Sequence, residues 1–340
     1  ELIDADGNGL ENPMEGRLTN EYRMMDVPWG PNRTYDNVDR FFKPGRYQGN
    51  TVNLAQNSAS TNFNITLNNY KTTGILEGND GFGRNSFRMN VNHRPRNDLS
   101  LRFTAYHMRS HRDRIAGEPF EDLLRFLPDV DLSQPGLNGE PDRIQPGRPF
   151  TTTVNPLYRE WANDNWEKRA RTQGSLRARY SPLSWLTLDG NLGYDRSDRQ
   201  IQDYRAKGVK MTEAEDDLGE DGRYRLFNGV TNSYTAPFTA TLMNSFGPLT
   251  ARTYYRTVLE REENETNNMI GEELAVRNVK DMTVATKQTI SSTITESRAT
   301  GHMLATALDY DDKYIADLLV RRDGSSRFGP EERWQTYYRA

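Results

Sequence analysis

The chain has 340 residues, no cysteine and a formal net charge of −4 from 44 basic and 48 acidic side chains. The lack of cysteine removes disulfide frameworks, thiolate metal sites and cysteine nucleophiles together, and the balanced charge gives no case for nucleic-acid binding. No apolar run approaches the roughly 20 residues of a membrane-spanning helix. A low mean hydropathy still suits strands that meet lipid through alternate residues only.

The first pattern along the chain is Asp4-Ala5-Asp6-Gly7-Asn8-Gly9, with Glu15 following. Oxygens at loop positions one, three, five and twelve suit a hard cation with several oxygen ligands, and Gly9 permits the sharp turn. Pro13 inside the loop and Glu11 where an apolar residue is usual argue against a helix–loop–helix sensor. Two readings stay open: a calcium site made by Asp4, Asp6, Asn8 and Glu15 in a surface loop, or a plain Asp/Gly turn.

Period-two alternation then dominates, the mark of strands with two different faces. Phe63, Ile65 and Leu67 alternate with Asn62, Asn64, Thr66 and Asn68; Phe87, Met89 and Val91 with Arg88, Asn90 and Asn92. Leu99, Leu101 and Phe103 alternate with Ser100, Arg102 and Thr104, and Leu176, Ala178 and Tyr180 with Arg177 and Arg179. A face this rich in Arg and Asn must be wet. The predicted strands are 48–56, 61–70, 84–94, 99–111, 168–181, 185–196, 235–246, 249–260, 298–310 and 313–323, with an eleventh beginning near 334.

Tight turns rich in Pro, Gly, Asp and Asn join them at 57–60, 95–98, 182–184, 247–248 and 311–312. Long connections are expected at 71–83, 112–167, 197–234, 261–297 and 324–333. Short and long links alternate throughout, so one end of the sheet carries turns and the other carries loops. That is the layout of an outer-membrane barrel. A soluble β-sandwich alternates too, but usually mixes link lengths at both ends.

Within the longest link, Phe120, Leu123, Leu124 and Leu127 have helical spacing. They fit a short helix that packs inside its loop or meets a partner. Arg109-Ser110-His111-Arg112-Asp113-Arg114 is basic at the loop end of a strand and fits lipid phosphates or a rim of ion pairs better than nucleic acid. His93, His107, His111 and His302 show no metal-ligand spacing, Gly81-Phe82-Gly83 lacks a third glycine, and Asp216-Asp217 and Glu262-Glu263 read as solvated loop acids. Tyr180, Trp185 and Tyr314 near strand ends fit an interfacial aromatic girdle. No catalytic residue emerges, and no enzyme is expected.

The stretch Asp311-Asp312-Lys313-Tyr314, followed by Arg321-Arg322-Asp323-Gly324-Ser325-Ser326-Arg327-Phe328-Gly329, resembles the SusC/RagA family of TonB-linked outer-membrane proteins. Asn62-Phe63 to Thr73-Gly74-Ile75, Arg84 to Asn92, Asn155-Pro156-Leu157-Tyr158, Arg171 to Tyr180 and Trp185-Leu186 extend the likeness over about 40–340. Asp323-Gly324 is expected to set loop geometry. The resemblance implies an all-β fold: an antiparallel transmembrane β-barrel, here about half of a plugged barrel of about 22 strands. Residues 1–45 are then an early extracellular loop or the exit from the plug, and 46–340 the partial barrel; the chain reads as the middle of a longer one.

It further implies TonB-driven import of an oligosaccharide or peptide at the outer membrane of a Gram-negative bacterium. The partners would be TonB, a SusD-like surface lipoprotein and outer-membrane lipid. No cofactor is required, calcium at the first loop aside. The alternatives are a passive porin or adhesin barrel and a secreted β-sandwich binding module.

Overall fold

The computed structural model describes residues 35–125, 131–133, 141, 155–209 and 221–340. Asp4, Asp6, Asn8 and Glu15 of the calcium-like loop lie outside these residues, as does Leu127. Eleven antiparallel strands form one sheet in sequence order. They are β1 (Tyr47–Asn57), β2 (Thr61–Thr72), β3 (Phe82–Arg96), β4 (Leu99–Asp113), β5 (Asn163–Leu183), β6 (Leu186–Arg205), β7 (Arg223–Phe246), β8 (Leu249–Leu274), β9 (Ala285–Tyr310), β10 (Tyr314–Ser325) and β11 (Trp334–Arg339). A sandwich needs a second sheet, and all eleven strands belong to one; the fold is a partial transmembrane β-barrel.

Residues directly opposite each other in a ladder share a face. Phe63 pairs with Val91, Val91 with Phe103, Phe103 with Leu176 and Leu176 with Leu192. Ile65 with Met89, and Leu67 with Phe87, join the same face. On the other face Asn64 pairs with Asn90, Asn90 with Thr104, Thr104 with Ser175 and Ser175 with Gly193. The alternation read from single strands is thus continuous across the sheet.

Leu54, Leu176, Leu192, Leu259, Leu304 and Val320 all lie on the apolar face and remain 46–63% exposed. A contiguous exposed apolar surface of this extent needs an apolar neighbour. On β8 the outward run is Leu249, Ala251, Thr253, Tyr255, Thr257 and Leu259, after which Arg261 and Glu263 follow. At about 3.4 Å per residue and a tilt near 45°, that run is about 24 Å tall. An outer-membrane barrel presents a band of about 25 Å. Tyr180, Trp185, Tyr310 and Tyr314 edge it at the turn end, and Tyr194 and Tyr234, whose tilted rings lie 5.1 Å apart, edge it at the loop end.

Two expectations from sequence are corrected. The links expected at 197–234 and 261–297 are largely strand, so the true connections shrink to 206–222 and 275–284. Strands β5 to β9 run far past the apolar band, where both faces are wet and hydrophobic alternation disappears. Pro95 and Pro182 sit within strands rather than turns, at register shifts between His93 and Arg96 and between Tyr180 and Leu183. Such irregularities tolerate a residue with no N–H to donate. The turns themselves are two- or three-residue: Asn97-Asp98, Ser184-Trp185, Gly247-Pro248 and 311–313. Asp311 and Asp312 adopt φ of 56° and 54°, the left-handed pair that matches hairpin twist.

Small clusters tie the loops to the strand ends. Helix α1 (Asn37–Phe41) buries Phe41 against Leu76, Leu132 and Leu123, the last from α2 (Pro119–Arg125). Of the helically spaced residues that are described, Leu123 is buried, while Phe120 and Leu124 face out. Helix α3 (Pro156–Ala162) begins where the Asn155 side chain accepts from Leu157 N–H at 2.9 Å, with Pro156 next, a favoured helix start. Asn155 also donates to the Leu132 carbonyl, and Leu132 N–H donates to Asn37. Tyr158 and Ala162 of α3 then pack on Tyr204, Val209, Tyr224 and Leu274 at the ends of β6 to β8.

Candidate functional site

The cavities at mid-height and toward the turns are lined chiefly by residues of the polar face, which is therefore the concave one. A cavity of about 780 Å³ at mid-height is lined by Arg88, Tyr106, Gln173, Asp195, Ser233 and Glu262 among others. These six are successive cross-strand partners from β3 to β8. Toward the turns a smaller cavity of about 380 Å³ meets Asn92, Arg102, Arg177 and Arg179. Toward the loops another, of about 730 Å³, takes residues of both faces, Arg84, Arg169 and Arg199 from the polar one and Lys71, Arg109 and Lys168 from the outward one.

The wall carries its charge as ion pairs at three heights on β5. Near the turns, Asp189 accepts from Arg177 at 2.8 Å and from Arg179 at 3.1 Å. At mid-height Arg171 grips Asp195 with both its Nε and a terminal nitrogen, and Gln173 donates to the same carboxylate at 2.8 Å. Toward the loops, Glu167 is only 3% exposed and is held by Arg112 at 2.7 Å, Arg199 at 2.9 Å and Arg169. Bidentate and shared guanidinium–carboxylate bonds fix side chains that would otherwise be mobile. The wall is therefore polar yet ordered.

Sequence reasoning found Arg88, Asn90 and Arg102 on this wall from alternation alone. It missed Glu167, Arg199 and Glu262, which lie beyond the apolar band where alternation carries no signal. Glu262, expected to be a solvated loop acid, lines the mid-height cavity from within β8. Asp323 and Gly324 are likewise inside β10 and not in its loop. Asp323 pairs with Arg321 at 2.7 Å and lies over Gly301, where an added Cβ would come within 2.7 Å of it. Gly324 faces outward beneath the Trp334 ring, which an added Cβ would approach to 2.8 Å. The motif's Asp-Gly pair thus serves close packing across three strands.

All four histidines sit on the outward face, each satisfied locally. His93 bonds Thr61, His107 bonds Thr172, His111 bonds Asp113, and His302 bonds the Tyr255 hydroxyl at 2.9 Å. Among the described residues no three His, Asp or Glu side chains converge as a metal site.

No protein-family model matches the sequence, and no curated protein matches it. Solved structures do match in three dimensions. A RagAB peptide transporter aligns with a TM-score of 0.73 over 90% of this chain and 35% of that one, at 15% identity. The RagAB peptide importer in an open-open state gives 0.71 over 95% of this chain and 36% of that one, at 17% identity. The unliganded ferric citrate transporter FecA gives 0.51 over 86% and 37%, at 10% identity. This chain therefore spans about a third of the length of the chains it matches. Its eleven strands share the fold of part of the RagAB transporter structures.

Proposed function

We propose that this chain is part of the wall of a TonB-dependent outer-membrane importer of the SusC/RagA type in a Gram-negative bacterium. The observation that carries the reading is the continuous outward apolar band, about 24 Å tall, backed by a concave wall of paired Arg and Asp. The likeness to RagAB, a peptide transporter, supports a bulky polar cargo: a peptide or an oligosaccharide. A SusD-like lipoprotein over the loop end and a plug inside the barrel belong to the same reading, as does energy relayed by TonB. No reaction is assigned to the chain.

Two features bear on completeness. The sheet ends on β1 and β11, and open strand edges in hydrocarbon leave N–H and C=O groups unsatisfied at several kcal/mol each. Further strands must close the barrel. The direction of β1 also bears on residues 1–45. It starts at the loop end with Tyr47 and runs to the turn at 58–60. Residues 35–46 enter β1 from the loop end, which supports an early extracellular loop over a plug exit. A calcium ion held by Asp4, Asp6, Asn8 and Glu15 would stiffen that loop.

Uptake of labelled peptide and oligosaccharide libraries by cells with the full-length gene, with and without TonB, tests the function. Uptake that vanishes without TonB is expected. Equal uptake in both strains would replace this reading with a passive porin.

A further inference from the structure

The outward collar just above the apolar band is uneven in charge. On β8 and β9 it is self-neutralised: Arg261 bonds Glu263 at 3.0 Å and Glu296 at 3.1 Å, and Arg298 also bonds Glu296. On β2 to β5 it is not. Lys71, Arg109 and Lys168 are exposed, and none has a carboxylate partner among the described residues. The nearby acids are already engaged, Asp198 by Arg196 at 2.7 Å and Asp113 by His111 at 3.2 Å.

The register gathers these three cations on one surface. Lys71 and Lys168 lie on a single cross-strand row through Gly83 and His111. Arg109 sits one outward step nearer the band, between Asn85 and Ala170. Arg109 and Lys168 are diagonal neighbours, about 7–8 Å apart at the backbone. Gly83 leaves the middle of the patch without a side chain, while Asn69 and Asn85 add amide donors beside it. Below Arg109 the outward residues turn to His107 and Ala105 and then Phe103, so its aliphatic stem lies along the membrane edge and its head reaches the interface. The Lys168 ammonium rests 4.1 Å from the Trp166 ring centroid, which holds it at that height.

We propose that Lys71, Arg109 and Lys168 form a binding site for the phosphate groups of an outer-leaflet lipid. The inference rests on placing the apolar band in the bilayer. Clustered cations at the end of such a band meet phosphates of lipids whose acyl chains already cover the band below, so head group and chains are bound together. A free anion would gain only the first of these contacts.

The test uses the full-length protein folded in detergent micelles. Lipid retention is measured by native mass spectrometry with bisphosphorylated lipid A and with its dephosphorylated form. The triple variant Lys71→Gln, Arg109→Gln, Lys168→Gln is expected to bind the phosphorylated lipid on the order of a hundredfold more weakly, at roughly fivefold per cation. Its binding of the dephosphorylated lipid stays unchanged. The charge-conserving variant Lys71→Arg, Arg109→Lys, Lys168→Arg retains tight binding, which separates lost charge from lost fold. Undiminished binding by the Gln variant overturns the site. Equal wild-type affinity for both lipids, or displacement by inorganic phosphate at matched concentration, overturns the lipid assignment. A full-length protein that stays monodisperse without detergent overturns the membrane reading itself.

Discussion

Ser175 and Leu176 are adjacent on β5 and live in different solvents. Ser175 lines the mid-height cavity, while Leu176 is 46% exposed within the apolar band. The same division holds for Thr104 and Phe103 on β4, and for Asn191 and Leu192 on β6. In a soluble sheet the apolar face would be the buried one. Here the apolar face is open and the concave face is charged, an inversion that only a lipid surround stabilises. Above the band the division ends: Arg196, Asp198, Glu263 and Glu265 take outward positions.

The largest expected effect comes from placing the same charge on each side of β5. Leu176→Arg should cost about 2–4 kcal/mol of folding stability in a bilayer, whereas Ser175→Arg should stay within about 0.5 kcal/mol. Denaturant titration of the reconstituted full-length protein measures both, and similar losses would undo the lipid-facing assignment.

The two glycines near the Asp-Gly motif make a finer comparison. Gly324→Ala drives a Cβ against the rigid Trp334 ring and should cost about 1–3 kcal/mol. Gly301→Ala meets only the tip of the Asp323 side chain, which rotates aside, and should cost well under that. Thermal denaturation of the pair reports the difference; a larger loss for Gly301→Ala would contradict the packing described.

Glu167 tests the wall above the band. Removing its charge by Glu167→Gln leaves Arg112, Arg169 and Arg199 facing one another. Breaking a fully buried pair costs about 3–5 kcal/mol, but these arginines are about half exposed. A loss nearer 1–2 kcal/mol is expected, shrinking in high salt as the cations are screened. Hydrogen exchange along 163–170 at two salt concentrations follows it, and a loss insensitive to salt would rule out charge repulsion as the cause.

The smallest effect belongs to the loops. Burial pushes the Glu160 carboxyl up from its ordinary value, against the Ala116 N–H it accepts at 2.9 Å and the nearby Arg159 charge. An acid whose folded pKa is raised contributes stability at low pH and loses it as pH rises through the folded value. The 114–162 connection should therefore hold more tightly in acid than at neutrality. Glu160→Gln should remove that dependence while keeping the amide contact. Limited proteolysis of this segment across the acidic range checks it; an unchanged pH profile in the variant would implicate another group.

The sequence alone determined the strands wherever lipid touches them. Bilayer contact demands an apolar residue at every second position, so Phe63 to Leu67, Phe87 to Val91 and Leu99 to Phe103 announce both the strand and its outward side. The turn residues Gly247-Pro248 and Asp311-Asp312 announce where the chain reverses, and the alternation of short with long links orders the two ends. Tertiary structure decided the rest. At 197–205, 223–234, 261–274 and 285–297 the faces meet water or, at Tyr204, Tyr224 and Leu274, loop residues instead of lipid, so no period-two pattern is enforced and the strands read as loops. They are strands because each continues a ladder that runs on from inside the band. The Glu167 node joins Arg112 and Arg199, which lie 55 and 32 residues away along the chain. Only the register of β4, β5 and β6 brings them together, because cross-strand neighbours are set by pairing and not by spacing along the chain.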